Sequence, residues 1–199
     1  MSGEIYISTD IESDGPIPAI NSMLSFASVA MTIDKEVTSS FTTNVLPYPG
    51  AVQDPETMKF WAKFPDAWNA TQVNQQDCEQ TMKRYLAWLT DVTVNRGLRP
   101  IFVGYPAAFD YMWVHWYLIR YTGQDPMGHA GLCMKSFGMA MQKCEFRHSV
   151  KSRYPKRWFD KLPHTHVSLD DAIEQGCMSI NMIRENRGLP PIEKHTVLG

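Results

Sequence analysis

At 199 residues, with 44% hydrophobic and 20% charged side chains, the chain is long enough for one well-buried domain and too apolar for a disordered polymer. A formal net charge of -2 excludes a protein that coats nucleic acid by electrostatics alone, while leaving room for an enzyme that grips a few nucleotides. No apolar run of about 18 residues occurs and Met1-Ser2-Gly3-Glu4 has no signal-peptide character, so a soluble, cytoplasmic protein without a membrane partner is expected. Cys78, Cys133, Cys144 and Cys177 form no CxxC pair, which points to neither a zinc site nor a disulfide framework.

The first element in chain order is a strand ending in acids, Ile5-Tyr6-Ile7-Ser8-Thr9-Asp10-Ile11-Glu12. Side chains alternate along a strand, so Ile5, Ile7, Thr9 and Ile11 share one face and Tyr6, Ser8, Asp10 and Glu12 the other. The Cα atoms of Asp10 and Glu12 then lie roughly 7 Å apart, close enough for both carboxylates to converge on one cation. Ordinary solvated turn chemistry over Asp10, Glu12, Ser13, Asp14 and Gly15 is the plainer reading of these residues taken alone.

Residues 22–33 and 36–45 read as two more strands joined at Asp34-Lys35, giving an antiparallel meander. Asp54-Pro55 predicts a helix from there to about Phe64, and a second is predicted over 76–95, closed by Gly97. Arg99 to Tyr105 is a strand followed directly by a helix over 107–121, a βα unit that requires part of the sheet to be parallel. A last helix spans 169–186, with Leu169, Ala172, Ile173, Gly176, Ile180 and Ile183 on one face, and stops at Gly188 before Pro190-Pro191. The expected fold is α/β: a mixed sheet, an antiparallel meander plus parallel strands, flanked by helices, one domain over 1–188 and a tail over 189–199.

Asp110 falls in the first turn of an apolar helix on the face of Trp113, Val114 and Tyr117. Taken singly, Asp110 is better explained by the favourable placement of an acid at a helix N-terminus. Ser168 fits an N-cap with Asp171 as the acid of a capping box. His166 has no such task, because an imidazole ahead of a helix start caps nothing; His164 reads as a loop histidine.

Asp10-x-Glu12, Phe109-Asp110 and His166-(x)4-Asp171 together resemble the signature of the DEDDh 3'-5' exonucleases of the ribonuclease H-like superfamily, present in order across nearly the whole chain. Short length and Met58-Lys59-Phe60-Trp61 resemble stand-alone exoribonucleases and phage exonucleases rather than polymerase-embedded domains. The resemblance implies two Mg²⁺ or Mn²⁺ ions about 3.5 to 4 Å apart, bridged by Asp10, with Glu12 and Asp171 completing one and Asp110 holding the other. It implies His166 as general base on the attacking water, a single-stranded RNA or DNA 3' end as partner, and nucleoside 5'-monophosphates as products. It implies a ribonuclease H-like mixed five-stranded sheet; a homodimer is left open. A catalytically silent nucleic-acid-binding module of the same fold is the competing reading, against which the full set of five residues argues. A nucleotide switch or dehydrogenase lacks support, since neither GxxxxGK[ST] nor GxGxxG occurs.

Between His148 and Pro163, Lys151, Arg153, Lys156, Arg157 and Lys161 face a single acid, Asp160. Arg153, Lys156 and Arg157 are expected phosphate contacts, with a solvated basic loop as the alternative. Phe109 is expected beside the substrate. Of Phe60, Trp61, Phe64 and Trp68, one at most is expected to stack on the terminal base, and Trp61 is the leading candidate.

Overall fold

Strand β1, Glu4–Ser13, runs through the middle of the sheet, hydrogen-bonded to a neighbour along each edge. The computed structural model describes residues 3–162 and 165–197. β1 pairs antiparallel with β2, Met23–Met31, which pairs antiparallel with β3, Glu36–Asn44. On its other side β1 pairs parallel with β4, Arg99–Gly104, from Glu4 opposite Arg99 to Ser8 opposite Val103. Two-residue strands, β5 at Leu132–Cys133 and β6 at Thr196–Val197, extend the edges to the order β5-β4-β1-β2-β3-β6. Among the described residues the sheet therefore has six strands rather than five; segments of two residues are too short to show a period of two in a sequence.

Among the described residues six α-helices pack on this frame: α1 Pro55–Trp61, α2 Pro65–Thr71, α3 Cys78–Val92, α4 Ala107–Thr122, α5 Met134–Gln142 and α6 Ser168–Asn186. The helix expected to reach about Phe64 stops at Trp61 and a new one starts at Pro65, whose ring tolerates a first helical position but not an interior one. Asp54 caps α1 by accepting from the Thr57 amide at 2.8 Å. The long connection between α4 and α6 holds α5 and three short 3-10 turns at 146–148, 151–153 and 156–158. No helix among the described residues is long and apolar enough to cross a membrane.

The alternation along β1 divides the core in two. Ile5, Ile7 and Ile11 pack with Trp113, Val114, Tyr117 and Leu118 of α4 and with α3. Tyr6 on the opposite face packs with Ala172, Cys177, Met178 and Ile180 of α6. Asp10 and Glu12 thus fall on the α6 side, at the end of the strand where β4 has already turned away.

Helix α6 lies unusually close to β1. The Ser8 hydroxyl donates to the Ala172 carbonyl at 2.8 Å, and the Gln175 amide donates to the Thr9 carbonyl at 3.0 Å. A Cβ at Gly176 would stand 2.5 Å from Met31 Sδ and 3.0 Å from Ser8 Cβ, so only glycine permits this approach. Gly176→Leu is expected to lower stability by about 1–3 kcal/mol in urea unfolding, the usual cost of overpacking, and to displace the first turn of α6 with it.

Asp160 is not the lone acid of a solvated loop. Its carboxylate pairs with the fully buried Lys35 ammonium and accepts from the His195 amide at 2.9 Å, while Lys35 Nζ also donates to the Ile192 carbonyl at 2.7 Å. This buried pair ties the β2–β3 turn and residues 192–195 to the α6 side of the sheet.

Candidate active site

Two helix starts and one strand end meet at a single edge of the sheet. Asp10 and Glu12 come from β1, Asp110 from the first turn of α4 on one face, and Asp171 from the first turn of α6 on the other. In α/β sheets this edge, beyond the carboxyl ends of parallel strands, is where loops and helix N-termini leave room for a ligand.

Asp110 is 4% exposed, and the backbone N–H groups of Ile11, Tyr105 and its own residue face its carboxyl. Burial dominates those contacts and pushes its pKa up to about 7. Burial likewise holds Asp10 well above the usual carboxylate range, reinforced by the charges of Asp110, Glu12 and Asp171. Glu12 rises for the same reasons, burial first and then Asp171 and Asp110. Asp10 and Glu12, whose carboxyls feel the charges of Asp110 and Asp171, sit close enough to those two acids to share a counter-charge with them.

Asp171 adopts a different role from the expected capping box. The helix begins one residue earlier, with Val167 at the cap position, and Asp171 reaches back to accept from the amides of Thr165 and His166, each at 2.9 Å. The Ser168 hydroxyl is instead met by Ser25 Oγ at 3.4 Å. These bonds hold His166 in the left-handed region at φ 56°. Its ring lies edge-on to Phe60, 5.3 Å between centroids, and tilted against Phe64 at 4.4 Å. Ligand atoms of Glu12, His166 and Asp171 come within 4.8 Å of one another. A set of carboxylate oxygens with one imidazole suits a hard divalent cation rather than a thiophilic metal. His164 lies outside the described residues.

The expected substrate contacts are distributed differently. Trp61 is 2% exposed and its indole N–H donates to the Ser13 carbonyl at 2.9 Å, so the ring anchors α1 to the end of β1 and is unavailable for stacking. What that anchor presents to the site is Phe60 and Phe64, 37% and 36% exposed. Phe109 is half-buried against Trp113. Arg157 makes a two-pronged contact with Glu185 at 2.8 and 2.7 Å. At 1.5 Å per residue, Glu185 lies about 21 Å along α6 from Asp171, which places Arg157 and its neighbour Lys156 beyond reach of the same phosphate. Arg153 is exposed on the turn at 151–153, nearer the acids.

Sequence reasoning passed over Lys151 as one of five similar basic residues. Its ammonium pairs with Glu174 of α6, sits 5.4 Å from the Tyr105 ring centroid, and its charge draws down the pKa values of Asp10 and Asp110. Only the folded connection brings it there.

The raised Asp110 carries a pH consequence. The folded state holds its proton to higher pH than the unfolded chain, whose aspartates titrate near 3.9, so metal-free stability falls as pH rises from about 4 through about 7. Asp110→Asn should shrink that decline in urea midpoints measured in EDTA between pH 4.5 and 8; an unchanged decline would place its origin elsewhere.

No family model matches the chain. A curated relative, the 3'-5' DNA exonuclease Cap18 of Escherichia coli, is 28% identical over 171 residues, covering 85% of this chain and 86% of the relative. Among solved structures, the nuclease domain of 3'hExo, described as a DEDDh family member bound to rAMP, aligns with a TM-score of 0.61 at 15% identity over 96% of both chains. A complex of E. coli ExoI with single-stranded DNA aligns at a TM-score of 0.62 and 13% identity, over 94% of this chain and 41% of that one.

Proposed function

We propose, for a chain that is a 3'-5' exonuclease of the DEDDh type, that it shortens single-stranded nucleic acid from the 3' end, releasing nucleoside 5'-monophosphates with two Mg²⁺ or Mn²⁺ ions as cofactors. The observation that carries this reading is the convergence of Asp10, Glu12, Asp110 and Asp171, whose charges act on one another, with the His166 ring beside two of them.

Asp10 belongs at the centre, since Asp110 approaches from the α4 face and Asp171 from the α6 face. When bound, divalent cations at these carboxylates make water a nucleophile near neutral pH and offset charge on the phosphate and the departing oxygen. His166 accepts the proton of that water at a ring nitrogen. The water oxygen bonds to the phosphorus of the terminal nucleotide, and the bond to O3' of the preceding nucleotide breaks, leaving that oxygen to take a proton from solvent. Phe60 and Phe64 fix the imidazole plane from one side, and their exposed remainder offers a surface on which the terminal base can stack.

The Cap18 relative, a DNA exonuclease by name, favours DNA as the substrate to try first. Matched DNA and RNA oligonucleotides, single-stranded and duplex, each labelled at the 5' end, decide it. The expected result is a ladder shortening from the 3' end of single strands. Internal cuts at early times would contradict an exonuclease.

A further inference from the structure

We propose that Lys151 is a substrate-contact residue whose ammonium takes a non-bridging oxygen of the phosphate at the scissile bond. The proposal rests on the functional reading above and adds a residue from outside the five-residue signature.

Two contacts place the ammonium at the site, and its electrostatic effect on the acids agrees with them. Its ion-pair partner Glu174 is buried on α6, three residues beyond Asp171 and so on the same side of the helix one turn on. Its Nζ lies 5.4 Å from the ring centroid of Tyr105, whose backbone faces the Asp110 carboxyl. Its charge acts on Asp10 and on Asp110, so it approaches the acids from between the two helices.

Donor arithmetic leaves this ammonium with capacity to spare. An ammonium has three N–H donors, and Glu174 takes one. The face of Tyr105 attracts the charge without removing a conventional acceptor's share. Among the described residues no further acceptor lies within hydrogen-bond distance of Nζ, and 26% of the side chain is open to solvent. Neutralising Glu174 would use one donor and no particular position, and a buried ion pair by itself gains little. A phosphate entering a site that already holds four carboxylates brings still more negative charge, which a cation fixed by the protein at its edge offsets. Lys156 and Arg157 cannot do so, because Arg157 is engaged at the far end of α6.

The test compares wild type with Lys151→Gln, Glu174→Gln and the double variant. Binding of a fluorescent single-stranded DNA with a 3'-hydroxyl is read by anisotropy in Ca²⁺ across a salt series, alongside thermal melting. Lys151→Gln is expected to weaken binding about tenfold, the scale of one lost charge-assisted hydrogen bond, and to flatten the plot of log affinity against log salt by about 0.7. The double variant should regain wild-type melting, since Glu174 is no longer buried without a partner, yet keep the binding defect. Recovery of wild-type binding in the double variant would overturn the proposal, because Lys151 would then serve Glu174 alone; so would unchanged affinity and slope in Lys151→Gln. A wild type that binds and shortens DNA while Lys151→Gln matches it overturns this inference only, whereas a wild type that does neither overturns the nuclease reading as well.

Discussion

Asp10→Ala is expected to lower kcat by more than about 10³-fold while leaving the fold intact, because the proposed mechanism makes several kcal/mol of transition-state charge stabilisation depend on the carboxylate at the centre of the set. Folding should not suffer. In the metal-free protein Asp10 is held above the usual carboxylate range by burial and by three neighbouring acids, so its removal relieves repulsion rather than breaking a stabilising bond. A melting temperature in EDTA equal to or above that of wild type, together with lost turnover, is the expected pair of results. Turnover near the wild-type level would remove Asp10 from the centre. A large fall in melting temperature would instead make it a structural residue.

His166→Asn should lower kcat by roughly 10²- to 10⁴-fold, the size of a lost proton-transfer group. Asparagine is the better probe than alanine here, since the residue sits at φ 56° and asparagine tolerates the left-handed region. The backbone N–H that Asp171 accepts is kept in the variant. The ring lies within ligand distance of Glu12 and Asp171, so base and ligand are separate hypotheses with separate signatures. For a base, calorimetric Mn²⁺ affinity stays near wild type, and the rise of activity with pH expected of wild type disappears in the variant. Collapse of Mn²⁺ affinity would make the imidazole a ligand. Survival of the acidic limb would assign the proton to another group.

Much of this arrangement was legible because it rests on short periods. The two-residue alternation of β1 separates Ile5, Ile7 and Ile11 from Tyr6, and the structure packs them against α4 and α6 respectively. The βα unit at Arg99–Gly104 and Ala107–Thr122 required a parallel pair, and β4 supplies it. Edge strands β5 and β6 were not legible, since two residues carry no pattern. At the site, the acid in the first turn of α6 misled: a capping box would tie Asp171 to Ser168 three residues back, whereas it accepts from the Thr165 and His166 amides, six and five residues back. Which basic residue faces the acids was not legible either. Lys151 and Arg157 are six positions apart in one basic segment, yet a path of 3-10 turns carries one to Glu174, one turn from Asp171, and the other to Glu185, near the far end of α6. Aromatic spacing likewise could not tell Trp61, which anchors α1, from Phe60 beside it, which meets His166.

The central claim is that the carboxylates gathered at the end of β1 drive metal-dependent removal of the 3'-terminal nucleotide. Its most direct test is chromatographic identification of the products released from a single-stranded oligonucleotide with a 3'-hydroxyl, with Mg²⁺ or Mn²⁺ and again in EDTA. The account predicts nucleoside 5'-monophosphates, appearing in order from the 3' end, only with the divalent cation, and absent for Asp10→Ala. Nucleoside 3'-monophosphates, or equal release in EDTA, would contradict it, since the first requires cleavage of the other ester bond and the second a reaction in which the four acids hold no cation.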